Sequence, residues 1–272
     1  MPELPEVETI RRQLEPQLTG ALIVDAGSHG SAKFTPALDA IGAGIESVHR
    51  RGKYLLFDLD HDIPDQLIVH LGMTGRLAIT PNRAAFDPDH RHLRAWWELD
   101  DGRVLTFHDV RRFGRIHSAV AGDYRHIPTL DQLGPEPWDP EFTGVALAAF
   151  IRRSDRHIKT ILLGQRAVAG VGNIYADEAL WDAQINPASR RLSAERATRL
   201  VTAIQQALES GLTHGGTTLR DYVDSDGTRG QNQHELDCYG RGGLPCLRCG
   251  TSLRTRVLDA RTTTFCPTCQ RR

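Results

Sequence analysis

The sequence predicts an α+β multidomain protein, with an N-terminal β-sandwich that carries attached helices and a C-terminal helical region that ends in a metal-bound β-hairpin. Three observations predict this arrangement. Segments rich in β-forming residues fill the first half, and helical periodicity replaces them after the glycine- and proline-rich segment 134–137. Two Cys-x-x-Cys pairs stand near the C-terminus. A chain of 272 residues is long enough for one large or two medium domains.

The first half begins as a helix and continues as strands. Apolar residues recur at three- and four-residue steps from Leu4 to Leu18, which predicts an amphipathic helix over residues 3–18. Asp101-Gly102 is a strong hairpin signal between two of the β-rich segments. Those β-rich segments are 22–25, 54–59, 67–71, 93–99 and 104–107.

Helical patterns dominate the second half. They predict one helix over 147–162, with some slippage near Ser154, a second over 174–181 and a third over 197–212. Gly170-Val-Gly-Asn173 forms a glycine-rich turn that opens into the second helix. Main-chain N–H groups at such a turn can hold a phosphate, although a tight connection between helices would need the same residues.

Four of the five cysteines form two pairs with sixteen residues between them, and these are Cys246, Cys249, Cys266 and Cys269. The spacing is that of a four-thiolate zinc site, and the segment between the pairs can form a β-hairpin. Disulfides are the alternative, but no signal peptide indicates an oxidising compartment. Four protein ligands leave no open position, so we expect a structural zinc. We expect Cys238 to be a buried free thiol.

The formal net charge of −1 argues against a uniformly basic nucleic-acid binder. The basic residues nevertheless cluster, and the clusters lie at 50–53, 111–115, 152–166 and 227–272. Such clusters are either solvated faces or, if the fold gathers them, one phosphate-binding groove. No apolar run is long enough to span a bilayer, and the N-terminus lacks the pattern of a secretory signal, so a cytoplasmic location is expected.

The second residue suggests chemistry at the N-terminus. Removal of Met1 would leave Pro2 with a free secondary amine, and an α-amino group has a pKa of about 7.7–8.0. Attack by that amine on a sugar aldehyde carbon gives an iminium, which is an electron sink like the Schiff bases of catalytic lysines. The alternative is that Pro2 only begins a helix, where its missing N–H costs nothing.

Taken together, these segments resemble the formamidopyrimidine-DNA glycosylase branch of the family that also includes endonuclease VIII. The resemblance runs nearly end to end, in family order. The motifs that carry it are Pro2-Glu-Leu-Pro-Glu-Val-Glu8, Arg51-Gly-Lys-Tyr-Leu55, His70-Leu-Gly-Met-Thr-Gly75, Asp109-Val-Arg-Arg-Phe-Gly114, Leu133-Gly-Pro-Glu-Pro137, Gly170-Val-Gly-Asn-Ile-Tyr175, Gly215-Gly-Thr-Thr-Leu219, Asp224-Ser-Asp-Gly227 and Arg261-Thr-Thr-Thr-Phe-Cys266.

The resemblance implies a catalytic β-sandwich over 1–130, a helix–two-turn–helix domain with a lesion-covering loop over 131–235 and a zinc finger over 236–272. It implies that duplex DNA lies in the cleft between the domains, which would gather the basic clusters. It also implies a bifunctional base-excision-repair enzyme, a glycosylase and abasic-site lyase. Such an enzyme removes oxidised purines (8-oxoguanine and formamidopyrimidines) and then cleaves the strand at the abasic site. A monomer associated with the nucleoid through DNA is the simplest expectation.

The same resemblance assigns catalytic roles. Pro2 is the nucleophile at C1′ of the sugar, and Glu3 is the general acid or base. Lys53 matches the residue assigned to β-elimination of the 3′ phosphate, and Arg261 the one assigned to δ-elimination of the 5′ phosphate.

Further residues match positions that contact DNA. Met73, Arg111 and Phe113 would fill the gap left by the flipped nucleotide, with Phe113 as a wedge between stacked bases. Ordinary core packing is the alternative for Met73 and Phe113. The remaining matches are His90, Lys159, Asn173 and, less directly because Ser154-Asp155 interrupts the family's basic run, Arg153.

One departure concerns Asn232, which stands where many relatives have an aromatic residue in the region that covers the flipped base. The preferred lesion is therefore open. Three hypotheses follow: a glycosylase for oxidised purines, the same chemistry on oxidised pyrimidines, or a catalytically silent nucleic-acid-binding protein. The residues Pro2, Glu3, Lys53 and Arg261 argue against the third. The Leu4 opening and Met73 favour purines.

Overall fold

The computed structural model describes residues 1–61 and 65–271. The chain packs as two compact units: the first comprises residues 1–131 and 214–231, and the second comprises residues 132–213 and the chain from residue 232 onward. The domains at 1–130, 131–235 and 236–272 stay a prediction, because compact packing does not by itself demonstrate independent folding. Within the described residues, no helix combines the length and apolar character needed to cross a lipid bilayer.

The first unit contains two four-stranded antiparallel sheets, with strand orders β1-β6-β7-β5 and β2-β3-β4-β8, which confirms the predicted β-sandwich. The strands are β1 (Ile23–Ser28), β2 (Ile45–Arg51), β3 (Tyr54–Leu59), β4 (Asp65–His70), β5 (Gly75–Thr80), β6 (Leu93–Leu99), β7 (Val104–Asp109) and β8 (Arg115–Val120).

Helix α1 (Leu4–Leu18) covers the apolar core of this unit, as predicted for residues 3–18. Val7, Ile10 and Leu14 are buried in the same cluster as the large aromatic residues of the strands. Glu3 is the N-cap, and the helix starts with a reciprocal capping arrangement between Glu3 and Glu6. A short helix, α2 (Pro128–Asp131), ends the first stretch of this unit.

The second unit contains helices α3 (Gly144–Arg152), α4 (Ile158–Leu163), α5 (Asn173–Asp182) and α6 (Ala194–Thr213). The single helix predicted over 147–162 is wrong, because the helical turns stop at Arg153 and resume at Ile158. Ser154 explains part of this break: its hydroxyl accepts a hydrogen bond from the main-chain N–H of Arg156 at 3.2 Å. Side chains that bind nearby main-chain groups in this way compete with helix formation.

The C-terminal segment forms the predicted hairpin between β9 (Arg254–Leu258) and β10 (Arg261–Phe265). Asp259 and Ala260 connect the strands with positive φ angles of 44° and 61°. Positive φ at both central residues is the requirement of the tight turn whose twist matches a β-hairpin.

Candidate functional site

The N-terminal residues are held at the start of α1. Pro2 is buried and Glu3 is 2% exposed, whereas Met1 is half exposed. The helix begins at Leu4, so Pro2 precedes the N-cap and its ring takes no part in the first helical turn. The alternative role of Pro2, as a residue that merely begins a helix, therefore does not describe its position.

Glu6 fixes this region by accepting two hydrogen bonds from main-chain N–H groups. Its Oε2 accepts from Glu3 at 2.7 Å, and its Oε1 accepts from Thr217 at 2.7 Å. The Tyr222 hydroxyl donates to the carbonyl of Gly215 at 3.1 Å, and burial raises the pKa of this phenol far above its usual range. The motif segment 215–219 is thereby tied to the N-terminus within the first unit.

Lys53 lies in the turn between β2 and β3 and is 3% exposed, which is rare for a lysine. The charge of Lys53 acts on His70, at the end of β4. Burial lowers the pKa of His70 to about 4, and the positive charges of Lys53 and Arg115 contribute to the same shift. The imidazole is therefore neutral near pH 7, and its Nδ1 accepts a hydrogen bond from the main-chain N–H of Gly72 at 3.2 Å.

The predicted wedge residues lie in two turns at the surface of the first unit. Met73, between β4 and β5, is 37% exposed, and Phe113, between β7 and β8, is 49% exposed. Such exposure argues against the alternative of core packing. The guanidinium of Arg111 lies 4.7 Å from the centre of the Phe113 ring, within the range of a cation–π contact.

His90 is exposed, and its ring lies 4.8 Å from that of His108. Burial lowers the pKa of His108 to about 4, with a further contribution from the neighbouring His90 and Arg76. No sequence pattern identifies His108 as part of this cluster, because the two histidines are 18 positions apart and are brought together only by the pairing of β6 with β7.

Lys159 has an unexpected position in the second unit. It is 1% exposed, and its Nζ lies 2.6 Å from a carboxylate oxygen of Asp177. The same ammonium donates to the carbonyl oxygen of Thr262 and to the hydroxyl of Thr263, both at 3.0 Å. Burial raises the pKa of Asp177 to about 6, although Lys159 pulls it in the opposite direction. Lys159 thus connects α4 and α5 to the start of β10.

Asn173 reinforces this connection, because its Nδ2 donates to the carbonyl of Thr262 at 3.1 Å. Arg261, the first residue of β10, is exposed directly before this anchored segment. Arg153, at the end of α3, is also exposed and lines a cavity of about 450 Å³ together with Arg156 and Arg166.

The four predicted zinc ligands meet in space. The sulfur atoms of Cys246, Cys249, Cys266 and Cys269 all lie within 4.8 Å of one another. Thiolates about 2.3 Å from a tetrahedral zinc would be about 3.8 Å apart, so these four fit the ion with small adjustments. With four thiolates around it, the zinc is structural.

Cys238 lies beside this site without joining it. Its side chain is fully buried against Trp181, Leu253 and two of the ligand cysteines. The Cys238 thiol donates to the carbonyl of Thr264 at 3.2 Å, and burial raises its pKa well above the usual range. The predicted buried free thiol is confirmed.

Asn232 is also buried, at 2% exposure, and its Oδ1 accepts a hydrogen bond from the Ser210 hydroxyl of α6 at 2.8 Å. Three buried carboxylates were not expected from the sequence, namely Glu6 and Asp109 in the first unit and Asp177 in the second. The three-residue spacing of Glu3 and Glu6 could have indicated the capping arrangement. Asp177 and Asp109 each bind a side chain that is distant in sequence, Lys159 and Thr74 respectively, and no local pattern identifies those partners.

Comparisons with known proteins agree with this geometry. Residues 1–116 match the formamidopyrimidine-DNA glycosylase N-terminal domain, and residues 133–223 match the H2TH domain of the same enzymes. Residues 243–272 match a zinc finger found in FPG and IleRS. Formamidopyrimidine-DNA glycosylase of Herpetosiphon aurantiacus is 45% identical, with 99% of this chain and 100% of that protein covered. The Thermus thermophilus enzyme is 44% identical, with coverage of 99% and 98%.

Solved structures have the same fold. The crystal structure of the Fpg protein of Thermus thermophilus aligns with a TM-score of 0.90 at 44% identity, covering 99% of this chain and 98% of that one. A Lactococcus lactis Fpg variant in complex with DNA containing Fapy-dG aligns with a TM-score of 0.89 at 33% identity, with full coverage of both chains. Full-length similarity in sequence and in fold therefore shows that this chain belongs to the formamidopyrimidine-DNA glycosylase family.

Proposed function

We propose that this protein excises oxidised purines from duplex DNA through a covalent bond to Pro2 and then cleaves the strand by β- and δ-elimination. The observation that carries the proposal is the position of Pro2, buried ahead of the N-cap and next to the shielded carboxyl of Glu3. Relatives named formamidopyrimidine-DNA glycosylase and solved complexes of such enzymes with lesion and abasic-site DNA support the substrate class.

The first chemical step exchanges one bond at the sugar for another. The Pro2 nitrogen bonds to C1′ as the bond between C1′ and the base breaks. The base leaves with that electron pair and takes up the proton that the Pro2 nitrogen loses. Glu3 delivers a proton to the ring oxygen of the sugar, and the ring opens to an iminium. Because Pro2 is a secondary amine, this iminium is positively charged without a proton on nitrogen.

The iminium then drives strand cleavage. Loss of a proton from C2′ sends electrons toward the cation and expels the 3′ phosphate, and a second elimination expels the 5′ phosphate. Water finally releases Pro2 from the sugar fragment. Lys53, as a buried cation of the same unit, is suited to the first elimination, and the exposed guanidinium of Arg261 is suited to the second.

Recognition of the lesion precedes this chemistry. The exposed Met73, Arg111 and Phe113 would replace the flipped nucleotide in the duplex, and His90 and Arg153 would contact phosphates. Lys159 and Asn173 would act on DNA mainly by anchoring the segment that presents Arg261. DNA as the substrate would place the protein at the nucleoid.

The experiment is borohydride trapping on a duplex that contains 8-oxoguanine, followed by separation of the cleavage products. We expect the wild-type protein to be trapped and Pro2→Gly to lose about tenfold or more of the trapping rate, which corresponds to about 1.4 kcal/mol or more of barrier. Pro5→Ala is the matched control, because Pro5 lies within α1 and its nitrogen is in a peptide bond, so it cannot act as a free amine. Mass spectrometry of the active protein should show that Met1 has been removed.

Equal trapping of Pro2→Gly, or activity of a protein that retains Met1, would remove Pro2 from the mechanism. The same assay with a panel of lesions separates the alternatives. Preferential release of oxidised pyrimidines would transfer the chemistry to that substrate class, and binding without release of any base would favour a silent DNA-binding protein.

A further inference from the structure

The two turns that carry the candidate wedge residues approach each other closely. We define the first wedge turn as residues 71–74, between β4 and β5, and the second as residues 110–114, between β7 and β8. Gly72 has a φ of 65°, and a Cβ built on it would lie 2.4 Å from the main-chain nitrogen of Gly114. Only glycine allows this approach, so the main chains of the two turns are in direct contact.

A single buried carboxylate joins the two turns. Asp109 is fully buried at the end of β7. Its Oδ1 accepts a hydrogen bond from the Thr74 hydroxyl at 2.5 Å, and its Oδ2 accepts one from the main-chain N–H of Gly114 at 2.7 Å. One carboxylate therefore binds the last residue of the first wedge turn and the last residue of the second.

The Thr74 hydroxyl also contacts the second wedge turn directly. Its oxygen accepts a hydrogen bond from the main-chain N–H of Arg111 at 3.0 Å, while its proton is donated to Asp109. That N–H also lies 3.2 Å from Asp109 Oδ1. Thr74 directly follows Met73, and its hydroxyl binds the main chain of Arg111. Thr74 therefore links two of the three wedge residues.

Arg94 fixes the main chain of Asp109. It is 3% exposed, and its Nε donates to the carbonyl of Asp109 at 2.8 Å. Both the side chain and the main chain of Asp109 are thus fixed. In contrast, Met73, Arg111 and Phe113 project from this fixed base and are exposed.

We infer that Thr74 and Asp109 are positioning residues that hold Met73, Arg111 and Phe113 as one preformed wedge, so that the three side chains enter the duplex together. Hydrogen bonds to a charged acceptor are among the stronger ones in proteins, and preorganisation lowers the entropy lost when the wedge binds. The inference rests on the proposed function, because it concerns how the lesion is exposed and not the chemistry at Pro2.

The test compares Thr74→Val, which removes the hydroxyl at nearly constant shape, with Thr74→Ser, which keeps it. The probe is a duplex with a tetrahydrofuran abasic analogue and a 2-aminopurine beside it, whose fluorescence rises when it is unstacked. We expect Thr74→Val to slow the fluorescence rise and to weaken binding by about tenfold, the effect of losing a hydrogen bond to a charged group. Thr74→Ser should restore the wild-type rate.

A substrate that needs no wedge provides the second measurement. Cleavage of a single-stranded oligonucleotide with a ready-made abasic site should be equal in wild type and Thr74→Val, because no base stack has to be opened. Thermal unfolding shows that the variants are folded, and Thr74→Ala replaces Thr74→Val if the valine itself destabilises the turn.

A wild-type fluorescence rate in folded Thr74→Val or Thr74→Ala would overturn the inference. Equal losses on the duplex and on the single strand would also overturn it, since they would indicate general damage to the site. The tetrahydrofuran duplex cannot undergo the reaction at Pro2, so its outcome is independent of the chemistry. A wild-type protein that unstacks this duplex but excises no base would refute the proposed function, and slower unstacking by Thr74→Val than by Thr74→Ser would still support the inference.

Discussion

The first unit holds its candidate functional residues with buried carboxylates that accept hydrogen bonds from uncharged donors, whereas the second unit uses a metal ion and a buried ion pair. Glu6 and Asp109 are almost completely buried and bind main-chain N–H groups around Pro2 and around the two wedge turns. Near Arg261, the corresponding roles belong to the four-cysteine cluster and to Lys159 with Asp177.

The metal at the hairpin follows from the size of the apolar cluster available there. The first unit packs α1 and both sheets around one large cluster that contains Phe34, Phe57 and Trp97. The cluster beneath the hairpin is much smaller and consists of Trp181, Leu253 and cysteines. A small module cannot bury enough apolar surface to fold by itself and needs a metal or another cross-link. An exposed functional turn is thus held by hydrogen bonds where a large apolar core lies beneath it, and with the help of a metal where the core is small.

The largest effect is expected from removal of the metal. Structural zinc contributes about 10–16 kcal/mol in small zinc-binding peptides, so a chelator should unfold the hairpin while the β-sandwich stays folded. Loss of the ordered β9–β10 segment should abolish tight DNA binding. Zinc content measures the loss of the metal, circular dichroism measures how much of the fold remains, and DNA affinity measures the loss of binding.

A pair of cysteine variants sharpens this test. Cys249→Ala should lose zinc and DNA affinity, whereas Cys238→Ala should keep both, because Cys238 lies beside the cluster and is not a ligand. Full DNA binding by a metal-free preparation would contradict the contrast between the two regions.

The next largest effect concerns the buried ion pair. Asp177→Asn leaves the Lys159 ammonium buried without its carboxylate, and such losses typically cost about 3–5 kcal/mol. Lys159→Met should cost less, because Asp177, whose pKa burial already raises to about 6, can take up a proton. Chemical unfolding monitored in the second unit measures both changes.

The pH dependence of Lys159→Met has a definite sign. Without the ammonium, the folded-state pKa of Asp177 lies even further above the unfolded value, so the folded state binds the proton more tightly. The destabilisation caused by Lys159→Met should therefore shrink as the pH is lowered toward about 6 and level off below it, where Asp177 is protonated in the wild-type protein as well. If Lys159→Met were as damaging as Asp177→Asn at about pH 5, the carboxylate would not be able to protonate in place.

The smallest of these effects is a pH dependence in the first unit. The pKa of His70 is about 4 in the folded chain, against about 6.5 for an unperturbed histidine. Between these values the unfolded chain binds a proton that the folded chain does not, so stability is full above about pH 6.5 and falls as the pH drops toward 4. The loss is at most about 3 kcal/mol.

His70→Asn should flatten this slope, because an amide oxygen can still accept the hydrogen bond from Gly72 and does not titrate. His126→Asn, at an exposed site, is the matched control and should leave the slope unchanged. Unfolding free energies measured from about pH 4 to about pH 7 distinguish them, and an unaltered slope in His70→Asn would assign the pH dependence to other groups.

The strands that were predicted are central in their sheets, with the exception of the edge strand β1, whereas those that were missed all lie at edges. The segments identified from the sequence became β1, β3, β4, β6 and β7, while β2, β5 and β8 were not identified. All three missed strands are at sheet edges. Edge strands here bury only some of their residues, as the exposed positions of β8 show, so their apolar pattern is weaker than that of central strands.

Local sequence determined the parts of the protein whose physics is local. The three- and four-residue apolar steps specify α1, and the cysteine spacing specifies the zinc site. The motifs around Pro2, Met73 and Phe113 identify residues that the structure places ahead of the helix or at the surface. Each of these depends on neighbours only a few residues apart, or on a ligand pattern that a metal enforces.

Tertiary structure alone decided which groups fix those residues in place. Lys159 reads as a surface cation in the sequence, yet the fold buries it against Asp177 and Thr262. Thr74 and Asp109 are separated by 35 positions and meet only because β5 pairs with β7. A buried charge must find a partner wherever the fold supplies one, and the sequence does not specify that partner because the requirement arises from desolvation in the packed state.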